Sequence, residues 1–469
     1  MAAKQKTEEA VFLDGSLMRH VSVMAFTGSI GLMALFAVDF VDMIFISMLG
    51  NAALAAAVGF AGTILFFTNS INIGLSIAAG SLVARAIGAG DRKAAREYVG
   101  SVACFGVLIS LLVPGVLWFF LEDVLVMLGA SGETSALAAS YLRIILPTMA
   151  VVSVAMIGMA VLRAHGDARR SMFATLAGGI VNAVLDPILI FGLNMELEGA
   201  AWASVAARFM MLFAALWPAI RVHDGFAMPR AAGLLKDIKA ISNIALPAVL
   251  ANVATPVGSA VVMREIAKFG TDAVAGFAVI GRLTPVAFAV VFALSGAIGP
   301  IIGQNFGAGK MDRVQGAFRA GIIFVAIYTL IAALVLFLVR DLIIAIFEAE
   351  GTSRDLIVLF AGPLALLFFF NGVIFVANAS FNNLGHASYS TYVNWGRNTL
   401  GTWPLAIWGG AMLGAPGVLI GQAVGGILFA LVAILMMRRA LVTAEVTVAP
   451  QDPFQAHRRF HLLFGRRGW

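Results

Sequence analysis

The chain has 469 residues, of which 61% are hydrophobic and only 12% charged, with a formal net charge of +6 and a single cysteine. Soluble domains carry about 25% charged residues, so a water-soluble globular fold is excluded and the bilayer becomes the solvent. One cysteine, Cys104, excludes a disulfide framework and a cysteine-ligated metal cluster.

Twelve apolar stretches follow in order, near 20–46, 53–82, 98–121, 136–162, 171–193, 200–221, 241–267, 273–302, 318–338, 356–381, 389–411 and 416–437. Each is long enough to cross roughly 30 Å of hydrocarbon at about 1.5 Å per residue. They lack the alternation of barrel strands, and backbone groups in lipid must be satisfied within the segment, so all twelve are predicted to be helices. Those well above the minimum length imply tilt. Met1–Arg19 is polar, and the stretch after it is too long for a signal-peptide core, so the first helix is expected to stay in the mature protein.

The first half recurs about 219 residues later. Gly88-Ala89-Gly90-Asp91, followed by Arg92 and Arg96, returns as Gly307-Ala308-Gly309-Lys310, followed by Arg313. Leu49-Gly50-Asn51-Ala52 returns as Phe269-Gly270-Thr271-Asp272, His165-Gly166 as Leu384-Gly385, and Gly199-Ala200 as Gly417-Val418. Six helices followed by six, both sets starting on the same side, make a parallel repeat around a central cleft. The predicted fold is an all-α polytopic membrane protein with two pseudo-symmetric six-helix bundles. Its predicted divisions are an N-terminal segment 1–19, a first lobe 20–221, a linker 222–240, a second lobe 241–438 and a tail 439–469. The turns Ile87–Gly90 and Phe306–Gly309 read as helix caps.

With both termini on one side, that side holds 23 of the 31 Lys and Arg residues, among them Lys4, Lys6, Arg163 and Arg230. The positive-inside rule makes it cytoplasmic, in a plasma (inner) membrane. The net charge then reflects topology, and no nucleic-acid partner is expected. Arg458-Arg459 and Arg466-Arg467 in the tail either touch anionic lipid or stay solvated, the solvated reading being favoured. A monomer is the expected working unit.

An energy source must come from elsewhere than ATP. Gly303–Lys310 imitates a phosphate-binding loop, but Gln304 replaces its first glycine and Met311 its magnesium-binding hydroxyl. No cofactor is implied, and all six histidines fall in connecting segments or the tail, with His457 and His461 too isolated for zinc. What remains is an ion gradient, which needs titratable groups within the membrane.

The repeat fails at its acids: Asp39, Asp42 and Asp186 correspond to about Ser259, Val262 and Leu405. A carboxylate in hydrocarbon costs about 2.5–3.5 kcal/mol on insertion scales, so each requires a use or a partner. Asp39 and Asp42 share a face of the first helix, and Asn182 and Asp186 a face of the fifth. Counted from Gly50, Gly192 and Gly199, residues Asp42, Asp186 and Ser204 lie about 12, 9 and 8 Å below the outer helix ends. They are predicted to meet at one level. Pro187 removes a helical donor and frees the carbonyl of Ala183 nearby. Such a pocket is a proton site or, alternatively, a Na+ site at Asp42 and Asp186. The competing reading has each aspartate capping a broken helix or pairing with an arginine.

Val41-Asp42, Phe45-Ile46-Ser47, Gly88-Ala89-Gly90-Asp91, Leu162-Arg163-Ala164-His165-Gly166-Asp167 and the run Asn182–Gly192 resemble the multidrug and toxic compound extrusion (MATE) family. Gly303-Gln304-Asn305, and Arg397 followed by Pro404, extend the resemblance, which covers about Ser16–Arg439. It implies efflux of amphiphilic organic cations in exchange for H+ or Na+. By position, Asp42, Asn182, Asp186 and Ser204 fall on the family's N-lobe coupling network, and Tyr141 on a tyrosine near the cleft. Sodium-using members place acids in helices 7 and 10. Here those regions offer Asn252 and Asn371, which is similar to the DinF-like branch. Helix 7 keeps Pro247, whereas helix 1 has Thr27 at the equivalent place, leaving Gly28 and Gly31 as its hinge candidates beside Pro187 in helix 5. Arg397 is an intramembrane cation that either pairs within the fold or reads a substrate anion. Glu265 is expected to pair with Arg264. Rival readings are a lipid-linked sugar flippase and an intramembrane prenyl-diphosphate enzyme using Asp39-x-x-Asp42; the latter lacks a second aspartate-rich motif.

Overall fold

Long apolar runs leave the backbone no partner but itself, and the chain is helical throughout. The computed structural model describes residues 10–229 and 231–447, and no strand occurs among them. The sequence readings on Lys4, Lys6, Arg230 and the tail residues His457, Arg458, Arg459, His461, Arg466 and Arg467 lie outside the described residues.

The first bundle comprises α1 (Leu17–Met48), α2 (Ala52–Gly88), α3 (Arg92–Phe119), the short α4 (Leu121–Met127), α5 (Gly132–Ile145), α6 (Met149–Ala164), α7 (Ala168–Pro187) and α8 (Glu196–Arg221). The second comprises α9 (Ala231–Ala267), α10 (Thr271–Ala287), α11 (Ala289–Gly307), α12 (Met311–Ile346), α13 (Gly351–Leu359), α14 (Ala365–Asn383), α15 (Ser388–Gly396) and α16 (Thr402–Thr447). A 3-10 turn at Leu146–Thr148, carrying Pro147, joins α5 and α6 into one crossing. Caps end the helices where the repeated motifs stand. Asp91 accepts from the Ala94 N–H at the start of α3, and Asp167 from the Arg170 N–H at the start of α7.

Eleven stretches among the described residues are long and apolar enough to span a membrane. The last, Ser388–Ala444, contains a reversal at Gly414 (φ 69°, ψ −153°), a left-handed backbone that glycine adopts without Cβ strain. It therefore counts as two crossings, which makes twelve. The predicted stretch 273–302 is interrupted. Pro285 lies in the last turn of α10, and Phe288 leaves the helical region (φ −114°, ψ 20°) to stack its buried ring on Phe368 at 3.9 Å.

The bundles meet across α2 and α11 by a reciprocal contact. A Cβ at Gly88 would stand 2.0 Å from the Gln304 carbonyl oxygen, and one at Gly307 would stand 2.0 Å from that of Arg85. Both pairs obey the 219-residue offset, so the repeat axis runs through this crossing. Nearby, the Ser81 hydroxyl donates to the Asn382 carbonyl at 2.8 Å, and Gln304 Nε2 donates to the Ala164 carbonyl at 2.8 Å. The N-terminal segment seals the same side. Phe12 is 2% exposed, its N–H donates to Gln304 Oε1 at 2.9 Å, and its carbonyl accepts from Arg313 and Asn305.

Candidate ion-coupling site and central cavity

Away from that closed end the bundles enclose a cavity of about 1200 Å³, lined by both. Its first-bundle wall carries Asp39, Asp42, Asn182, Ser204 and Arg208, with Met24, Met156, Met159, Met172 and Met211. The second-bundle wall carries Asn252, Asn371 and Arg397 with Phe277, Phe292, Phe360, Phe368 and Phe375, and no carboxylate lines it.

Helical spacing brings the acids together. Asn182 and Asp186 lie one turn apart on α7, which packs along α1, and Asn182 Nδ2 donates to both carboxyl oxygens of Asp42 at 3.2 Å and to Asp186 Oδ2 at 2.5 Å. One amide thus bridges two carboxyl groups from two helices. Asp186 is fully buried behind Asn182, and its Oδ1 has no hydrogen-bond donor. A buried acceptor left unpaired costs about 1–3 kcal/mol, and a proton placed between the carboxyls would supply the missing donor. Asp42 lies six residues before the end of α1, so the pocket sits in the half of the membrane opposite the closed end.

The other predicted residues divide. Ser204 lines the cavity within hydrogen-bonding reach of the Tyr141 hydroxyl. Tyr141 itself packs in the first-bundle core beside Leu142 and Ile145 and does not line the cavity. Asp39 lines the cavity one turn before Asp42 on α1, close enough to interact with it electrostatically, but makes no hydrogen bond or ion pair among the described residues. Asn252 spends its amide on the Ala248 carbonyl at 2.8 Å, and Asn371 accepts from Arg397. Helix α1 runs unbroken through Gly28 and Gly31, where an added Cβ would meet Ala293 and Thr175 at 3.4 Å; neither position is bent here. At Pro187 the helix widens into a π-turn, Ile188–Gly192, and the Ile188 N–H goes to the Leu185 carbonyl. Pro247 lies within continuous α9, its carbonyl accepting from Thr391 Oγ1 at 2.9 Å.

Two expectations change. Glu265 pairs with Lys268, three residues on along the same face, and not with its neighbour Arg264, which projects elsewhere. Arg163, read as a solvent-side cation, points into the cavity and donates to Ser171 Oγ at 3.0 Å. Arg208 was not singled out by the sequence, although it is an arginine within an apolar stretch. It lines the cavity and donates to the Ile145 carbonyl at 3.0 Å and Thr148 Oγ1 at 2.6 Å.

A multi-pass membrane protein in which two related bundles share one cavity, closed at one end, belongs architecturally with the transporters. The MatE family model matches residues 29–188 and 247–408, once in each bundle, and the chain belongs to this family. It is 27% identical over 435 residues to an FAD transporter of Shewanella oneidensis, spanning 91% of this chain and 95% of that one. It is 26% identical over 346 residues to the probable multidrug resistance protein NorM of Thermotoga maritima, spanning 71% and 72%. Among solved structures it is similar to the Vibrio cholerae MATE transporter VcmN in its bent form, with a TM-score of 0.85, 26% identity and coverage of 92% and 98%.

Proposed function

We propose that this transporter exports amphiphilic organic compounds, organic cations among them, by antiport against protons, with Na+ as the alternative coupling ion. The observation that carries this reading is the Asn182 bridge between Asp42 and Asp186 with Asp186 Oδ1 left without a donor. The relative named as an FAD transporter adds a second class of cargo, an anionic amphiphile, beside the cations.

In this reading the closed end is cytoplasmic, because the cations cluster there, and the pocket faces outward. A proton arriving from outside bridges the carboxyls and removes the negative charge that a cationic substrate balances. The substrate leaves, the bundles rock, and the proton is lost to the cytoplasm. Exchange of one proton for a monovalent cation moves no net charge, so the pH difference drives it at about 1.4 kcal/mol, or about tenfold, per pH unit. A neutral substrate also draws on the potential, about 2.3 kcal/mol per 100 mV. The acid-free second-bundle wall supports coupling within the first bundle alone, as in the DinF-like branch.

Transport of ethidium in vesicles under an imposed pH or Na+ gradient tests the assignment. Asp42→Asn and Asp186→Asn are each expected to cut pH-driven transport at least tenfold. Sodium-driven transport that survives both substitutions would remove this site from the mechanism.

A further inference from the structure

Arg397 opens the π-turn Arg397–Gly401 between α15 and α16 and lines the second-bundle wall. A guanidinium has five N–H donors, and the one hydrogen bond made here goes from Nη1 to the Asn371 side-chain oxygen. No carboxylate pairs with it among the described residues. Arg208, across the cavity, is by contrast tied to a carbonyl and a hydroxyl of its own bundle. A half-buried, unpaired cation within a membrane is costly, and the fork of a guanidinium matches the paired oxygens of a phosphate or carboxylate.

The neighbours supply the rest of a binding surface. Phe368, Asn371 and Phe375 recur at helical spacing on one face of α14, and all three line the cavity. Phe292 closes the cluster, its ring 5.8 Å from Phe368 and 5.5 Å from Phe375. The amide that orients Arg397 therefore sits between two aromatic rings. Ser259 and Gln422 lie on the same wall and, among the described residues, make no hydrogen bond, so they add donors.

We propose that the second-bundle wall is an anion subsite, in which Arg397, oriented by Asn371, binds the phosphate group of an aromatic amphiphile whose ring lies against Phe368 and Phe375. The subsite deepens the transport reading and rests on the cavity being the substrate path. It leaves the first-bundle acids to couple the ion while the opposite wall selects cargo. The phosphate belongs either to a soluble organic phosphate or to a lipid headgroup.

The test is equilibrium binding to the full chain in phosphatidylcholine nanodiscs, using 1-naphthyl phosphate, its neutral parent 1-naphthol, and dihexanoyl phosphatidic acid. The native protein is expected to bind naphthyl phosphate at least tenfold more tightly than naphthol. Arg397→Gln should abolish that preference while leaving naphthol affinity within twofold, and the tighter of the two phosphates identifies the source. Should Arg397→Gln fail to fold, Arg397→Lys decides: it keeps the charge without the fork, and a selective loss of at least threefold for phosphate is expected. Equal affinity of native protein for naphthyl phosphate and naphthol, or an unchanged preference in the folded variant, overturns the proposal. Because binding needs no gradient, this result is independent of the Asp42 and Asp186 transport assay.

Discussion

The two walls of the cavity derive from one repeated unit yet differ in almost every side chain that faces the space between them. The first presents carboxyls, an amide bridge and five methionines; the second presents amides, one free-reaching arginine and five phenylalanines. The closed end shows the opposite tendency. There the repeat is kept to the atom, with Gly88 against Gln304 and Gly307 against Arg85. Positions where backbones touch tolerate no side chain and stay alike in both halves, whereas cavity positions are free to take separate tasks. Methionine supplies an adaptable apolar surface beside the ion pocket, and clustered phenylalanines, Phe292 packed edge-on to Phe368 and tilted against Phe375, supply a stiffer one opposite.

The comparison can be broken first at the shared scaffold. Gly88→Ala and Gly307→Ala each push a methyl group into a backbone carbonyl, and each is expected to destabilise by about 1–3 kcal/mol, by similar amounts in the two halves. Thermal unfolding of the purified protein measures this. Tolerance of one substitution and not the other would show that the crossing is not a symmetric contact.

A smaller effect sharpens the contrast at the loops. Asp167 caps α7, and 219 residues on stands His386. Burial raises the Asp167 carboxyl, but bonds from His223, the Arg170 N–H and the Arg170 guanidinium outweigh it and hold the group at about 2. Since the unfolded value is about 3.9, the stabilisation is complete above that pH and is lost as pH falls toward 2. Solvent screening limits it to about 1 kcal/mol. Asp167→Asn should lower stability at pH 7 by about 1 kcal/mol and flatten the acid limb of a stability profile between about pH 4 and 2. An acid limb identical to that of native protein would mean the cluster is not a stabilising contact.

Much of this was legible from residue order because it follows from local rules. Apolar length marks a crossing, and the four-residue step from Asn182 to Asp186 sets a common helix face. Glycine turns fix depth well enough to bring Asp42 to the same level. What escaped depends on distant partners. The interruption at Phe288 is set by stacking on Phe368, eighty residues away. Gln304 carries a recognisable motif, but its partners Ala164 and Phe12 lie 140 and 292 positions distant. Arg163 sits at a helix end beside other cations, and only the packing of α6 turns it into the cavity. Arg208 was within reach of the rule that singled out Arg397, since any arginine in an apolar stretch needs a partner or a use.

The central claim, that the first-bundle carboxyls exchange a proton for substrate, is tested most directly by following pH in a weakly buffered solution as ethidium is added to purified protein. Native protein should release close to one proton per bound cation at a pH where the pocket is loaded, and Asp42→Asn and Asp186→Asn should each bind without that release. Release of equal size from both variants would contradict the account.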